Sequence, residues 1–129
     1  MSLADADSEG TSTTANDLPL TAPLVGKLLR VFLRSDKNIN GHTLTWRLET
    51  ISSGANMSTT PAVIGTQSGA GCTNSTMTTY DFTSSLDSGT NAIAAGDAVF
   101  LSLQSDTDFG SNVKYYITCL WEWDFSSIG

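Results

Sequence analysis

Basic residues are scarce in this chain. Six Lys and Arg stand against 13 Asp and Glu in 129 residues, which gives a formal net charge of -7. Proteins that bind nucleic acids need clustered positive charge to neutralise phosphates. We therefore expect no nucleic-acid partner.

Catalytic and metal-binding motifs are absent from the sequence as well. His42 is the only histidine, and Cys72 and Cys119 are the only cysteines. No spacing joins them into a nucleophilic triad or a zinc site, and no phosphate-binding loop is present. Two cysteines do not make the disulfide framework of a small secreted domain, and the sequence leaves open whether they are bonded. We expect no enzyme and no cofactor.

Long apolar runs are missing too. No stretch approaches the ~20 apolar residues of a membrane-spanning helix. The N-terminus is acidic and lacks the apolar segment of a signal peptide. We expect a protein made in the cytoplasm that does not associate with a membrane.

The strongest positive signal is a strict alternation from Val113 to Phe125, where every odd position is apolar or aromatic. Successive side chains of a strand point to opposite faces, so a period of two predicts a strand with one buried face. Further short alternating segments recur every 8–12 residues or so, and no helical pattern is present. The sequence predicts an all-β protein of six to eight strands, an antiparallel β-sandwich or jelly roll with an extended N-terminal arm.

Three of the other predicted strands have clear faces. Leu24–Arg34 places Leu29, Val31 and Leu33 on one side, and Thr43–Ile51 alternates in the same way. A turn-rich segment separates these two, which predicts a β-hairpin with a long loop. Ala98–Gln104 follows a tight turn at Ala95-Gly96-Asp97, and its inward residues are Val99, Leu101 and Leu103.

Residues 1–22 form a separate region. They are rich in Ser, Thr, Ala and Asp, carry four acids and no base, and hold too little apolar surface to fold alone. The alternatives are a disordered tail and an arm that becomes ordered on a neighbouring subunit. We expect an arm, with Leu18 and Leu20 as its interface residues, and a domain over residues 23–129.

Two loops resemble weak calcium sites. Asp36, Asn38 and Asn40 precede Gly41 at the spacing of a calcium loop, but the twelfth position is Arg47 instead of an acid. Asp106 and Asp108 form a second acidic loop. We favour solvated turns over metal sites for both, and we predict no bound metal.

The aromatic residues allow two interpretations. Trp121 and Trp123 share the face of Ile117 and Cys119, which favours packing in the core or at a subunit interface over a sugar-binding platform. Tyr80 and Tyr116 are the better candidates for exposed aromatic residues.

Three segments together carry a resemblance to a known class. They are Thr43–Glu49 (TLTWRLE), Ala95–Leu101 (AGDAVFL) and the terminal Thr118–Asp124 (TCLWEWD). With the Ser/Thr-rich arm before them, the chain resembles small structural proteins of tailed bacteriophages, of the head-decoration, fibre-knob and tail-tip types. The resemblance implies a virion protein that forms a symmetric homo-oligomer, often a trimer.

Two functions follow from that resemblance. The first is a capsid decoration or cement protein, bound through its arm to the major capsid protein or other virion proteins. The alternative is the receptor- or carbohydrate-binding tip of a fibre or tail, with Tyr80, Asp106 and Asp108 as candidate ligand contacts.

Overall fold

The computed structural model describes residues 20–83, 93–126 and 128. Seven strands lie in these residues: β1 (Leu20–Thr21), β2 (Gly26–Ser35), β3 (Thr43–Ile51), β4 (Ala62–Ala70), β5 (Thr78–Asp81), β6 (Ala98–Ser105) and β7 (Tyr115–Trp123). The predicted arm lies outside the described residues up to position 19.

The strands form two antiparallel sheets. One has the order β1-β6-β3-β4 and the other the order β5-β2-β7. A shared apolar core joins them, since β2 and β7 contribute buried residues to the same cluster as β3 and β6. The predicted antiparallel β-sandwich is confirmed. No helix long and apolar enough to cross a membrane occurs in the described part of the chain.

The predicted hairpin of β2 and β3 is wrong, because the two strands lie in different sheets. Each strand has a strongly apolar face, and stacking these faces across the sandwich buries both. The loop between them is anchored by Ile39, which is buried and whose N–H donates to the carbonyl oxygen of Cys72 at 2.9 Å. Among the described strands, the consecutive pair β3 and β4 forms a hairpin instead.

The predicted inner face of β2 is partly wrong, because the strand contains a β-bulge. The register with β7 shifts between Leu28 and Arg30, so that Leu29 is an extra residue. Leu28 lies in the core with 0% exposure, together with Val31 and Leu33, whereas Leu29 is only partly buried. The inner residues of β3 are Leu44, Trp46 and Leu48, as the alternation predicts.

The strand β7 follows the predicted alternation but is two residues shorter at each end. Its odd positions from Tyr115 to Trp123 pack against the core, and its even positions are exposed. At its end Trp123 lies opposite Gly26 of β2. A Cβ atom on Gly26 would lie 2.3 Å from Cε3 of Trp123 and 2.5 Å from the Glu122 carbonyl oxygen. The absence of a side chain at Gly26 therefore lets the indole lie on the β2 backbone.

The contact of Trp123 with Gly26 predicts that Gly26→Ala destabilises the protein by about 1–3 kcal/mol, the usual cost of forcing a methyl group into a packed site. Urea unfolding at constant pH measures this change. Gly41→Ala is the matched control, because a Cβ atom there meets nothing within 4 Å. An equal loss in both variants would contradict the role given to Gly26.

Candidate functional site

Two loops meet at one end of the sandwich, which we call the loop end: residues 36–42 between β2 and β3, and residues 106–114 between β6 and β7. Asp36 and Lys114 join them, since Asp36 Oδ1 accepts a hydrogen bond from the Lys114 N–H at 2.8 Å and the Asp36 N–H donates to the Lys114 carbonyl oxygen at 3.2 Å. His42 adds a contact between its Nδ1 and the Thr107 hydroxyl at 3.0 Å. The sequence did not show that these two loops lie side by side.

Two side-chain oxygen atoms of the first calcium candidate accept hydrogen bonds from backbone N–H groups. Asp36 binds the Lys114 backbone, and Asn38 Oδ1 accepts a hydrogen bond from the Asn40 N–H at 3.3 Å. No group of three or more His, Cys, Asp or Glu side chains suited to a metal ion occurs among the residues that the structure describes. The loop geometry is that of an Asx turn anchored by Ile39.

Asp106 and Asp108 have separate roles in the second loop. Asp108 Oδ1 accepts a hydrogen bond from the Gly110 N–H at 2.9 Å and holds a turn in which Gly110 has a φ of 69°. Asp106 lies near His42, with its Oδ1 atom 3.7 Å from the imidazole Nδ1. The two carboxylates thus bind their own neighbours.

An aromatic contact supports the same end of the fold. The His42 ring meets Phe109 edge-on with 4.7 Å between the ring centroids, and Phe109 meets Tyr115 at 6.0 Å. His42 is therefore a packing residue between the two loops, and it lies next to the Asp106 carboxylate and the Thr107 hydroxyl.

Trp121 and Trp123, the predicted interface pair, stack on each other with 5.6 Å between the ring centroids and an interplanar angle of 16°. Both are partly exposed while they pack against the core. Leu20 of β1 lies opposite Val99 of β6 and also packs against the core. Leu18, the fourth predicted interface residue, lies outside the described residues.

The prediction for Tyr80 is wrong, whereas that for Tyr116 is confirmed. Tyr80 is 2% exposed, its hydroxyl donates to the Ala70 carbonyl oxygen at 2.7 Å, and its ring packs on Trp46. Burial raises the pKa of Tyr80 to about 12. Tyr116 is 62% exposed on the outer face of the three-stranded sheet. Tyr80 is thus removed as a ligand contact.

The two cysteines are free and buried. Cys72 Sγ lies 3.1 Å from the Ser35 hydroxyl, and burial raises the pKa of the Cys119 thiol to about 11. Since the thiolate is the reactive form, a raised pKa and burial make Cys119 a packing residue.

Exposed apolar residues on β7 and around its end were missed by the sequence reasoning, apart from Tyr116. They are Val25, Leu120, Phe125 and Ile128. The N–H of Asp124, the residue before Phe125, donates to the Val25 carbonyl oxygen at 2.8 Å. The available signal was Tyr116 and Leu120, two large side chains at even positions of an otherwise polar face.

Comparisons with protein-family models, with curated proteins and with solved structures found no match to this chain.

The contacts of Asp106 predict a pH dependence of stability. The backbone N–H of Thr43 is the main cause that lowers the pKa of Asp106 from its ordinary 3.8, with Thr107 and His42 acting in the same direction. A carboxyl group with a lowered pKa in the folded state stabilises the protein above its unfolded pKa of about 3.9, and that stabilisation is lost as the pH falls through the folded pKa.

Asp106→Asn should therefore flatten the fall in the free energy of unfolding between about pH 5 and pH 2. Urea unfolding at a series of pH values measures it. Asp108→Asn, which removes one negative charge from the same loop, is the control. An unchanged pH profile in Asp106→Asn would contradict the contacts described for this carboxylate.

Proposed function

We propose that this protein is a non-catalytic structural protein of a bacteriophage particle, a decoration or cement protein of the capsid. Its β-sandwich provides the folded body, and residues 1–19 attach it to the major capsid protein or to another virion protein. The resemblance of the three segments to phage structural proteins is the origin of this proposal.

The observation that carries the proposal is the exposed apolar surface at the C-terminal strand and the tail that follows it. Tyr116 and Leu120 are exposed on the outer face of β7, and Val25, Phe125 (66% exposed) and Ile128 are exposed near the end of this strand. Single exposed apolar residues are ordinary, but several that lie on one strand and its continuation mark an association surface. A surface of this kind suits a protein whose work is assembly.

The polar groups of the loop end support the same function. Asp36, Asp108 and His42 bind groups of their own fold. Side chains engaged in this way keep the two loops in one conformation, which suits a rigid body that bridges or decorates other subunits.

The proposal predicts that the chain is present in purified virions and that removal of residues 1–19 abolishes attachment. The cut is placed after residue 19 because Leu20 and Thr21 pair with β6 and Ala22 is buried in the core. Co-sedimentation of the full chain and of residues 20–129 with particles that lack the protein measures attachment.

The truncated chain must first show the far-ultraviolet circular dichroism and the urea midpoint of the full chain, so that a loss of attachment is not a loss of folding. Full attachment of residues 20–129 would overturn the role given to the arm. Absence of the chain from virions, tested by mass spectrometry of gradient-purified particles, would overturn the proposed function itself.

A further inference from the structure

One side of β7 has no partner strand among the described residues. The three-stranded sheet has the order β5-β2-β7, so β7 pairs with β2 on one side only. β7 has nine residues, whereas β5, the strand at the opposite edge of this sheet, has four. Long edge strands tend to pair with a further strand unless charges, proline or bulges interrupt them.

The middle of β7 has none of these protections. Residues 115–121 read YYITCLW, without a charge or a proline. The pairing with β2 is continuous along β7, because the extra residue of the bulge belongs to β2. A strand with these properties provides an uninterrupted, uncharged edge for another strand.

Flanking hydrogen bonds identify which backbone groups face this edge. The Asp124 N–H donates to Val25 and the Lys114 carbonyl oxygen accepts from Asp36, so the even positions face β2. Backbone groups of successive strand residues point to opposite sides, and the odd positions therefore face outwards. Gly26, which lies opposite Trp123, agrees with this, since its N–H and carbonyl oxygen bond to Ile93 on the side away from β7.

We infer that β7 is a dimerisation strand, which pairs in antiparallel fashion with β7 of a second copy of this chain across a two-fold axis at Cys119. Cys119 is the central residue of the strand. In this register Ile117 faces Trp121 of the partner subunit, and Cys119 faces Cys119 of the partner subunit. The outward groups of these central positions then form about six inter-strand hydrogen bonds, and the two three-stranded sheets become one continuous sheet.

The charges at the two ends of the strand fit this register. Lys114 and Asp124 are each five residues from Cys119, so Lys114 faces Asp124 of the partner subunit, and the pair occurs twice. Opposite charges directly across an antiparallel pair stabilise it, and like charges destabilise it. In a single sandwich, Ile117 and Trp121 are partly exposed. In the dimer, Ile117 of each subunit lies against Trp121 of the partner subunit, so both side chains become more buried.

A two-fold pair differs from the trimer that the phage resemblance favours, and it does not depend on the proposed function. The test is sedimentation equilibrium of the full chain over a range of concentrations, for the parent chain and for Lys114→Glu, Lys114→Glu/Asp124→Lys and Lys114→Glu/Glu122→Lys. Lys37→Glu is the matched control, because it makes the same charge change in the loop between β2 and β3, at a residue that belongs neither to β7 nor to the proposed Lys114–Asp124 pair.

We expect a dimer whose dissociation constant rises roughly tenfold in Lys114→Glu and returns close to the parent value in Lys114→Glu/Asp124→Lys. Lys37→Glu should leave it unchanged. Circular dichroism of each variant shows that the fold is retained.

A monomeric or trimeric parent chain would overturn the inference. An equal weakening in Lys37→Glu would also overturn it, because the effect would then be one of net charge. Restoration by Lys114→Glu/Glu122→Lys in place of the Asp124 variant would overturn the register at Cys119, since it would place the axis at Thr118.

Discussion

The pairing of β7 with β2 is the constraint on which the rest of the structure depends. It runs from Gly26 opposite Trp123 to Ser35 opposite Tyr115 and joins β7 to β2, the first long strand among the described residues. The bulge at Leu29 lets both strands keep an apolar face towards the core, because it moves Leu28 inwards opposite Trp121. The bare backbone of Gly26 provides the place for Trp123.

The faces of β7 determine what is exposed on this sheet. The odd positions of β7 pack against the core, so the even positions form the outer face of the sheet, where Tyr116 and Leu120 are exposed. The salt bridges of this face are exposed pairs, Lys27 with Glu122 at 3.0 Å and Arg30 with Asp81 at 3.7 Å, and such pairs contribute little to stability. Apolar surface and an accessible strand edge thus occur together at the C-terminal strand, the place where the proposed assembly functions would be carried out.

Local patterns predicted some elements well and others poorly. The alternation of Thr43–Ile51 predicted a strand with the observed bounds, because every second residue of a half-buried strand faces the core and is apolar. Tyr80 was placed on the wrong face of its strand, since Thr and Tyr residues there carry no clear apolar period. The hairpin of β2 and β3 failed because two strands with apolar faces satisfy burial equally well side by side or stacked across a core.

The amino-acid sequence by itself determined the all-β class, the strand content and the buried face of β7, because these follow from side-chain periodicity along a single segment. Only the tertiary structure decided which strands are neighbours, that Asp36 meets Lys114 and His42 meets Thr107, and that one side of β7 lacks a described partner. These features arise from contacts between residues far apart in the chain, and no local pattern records them.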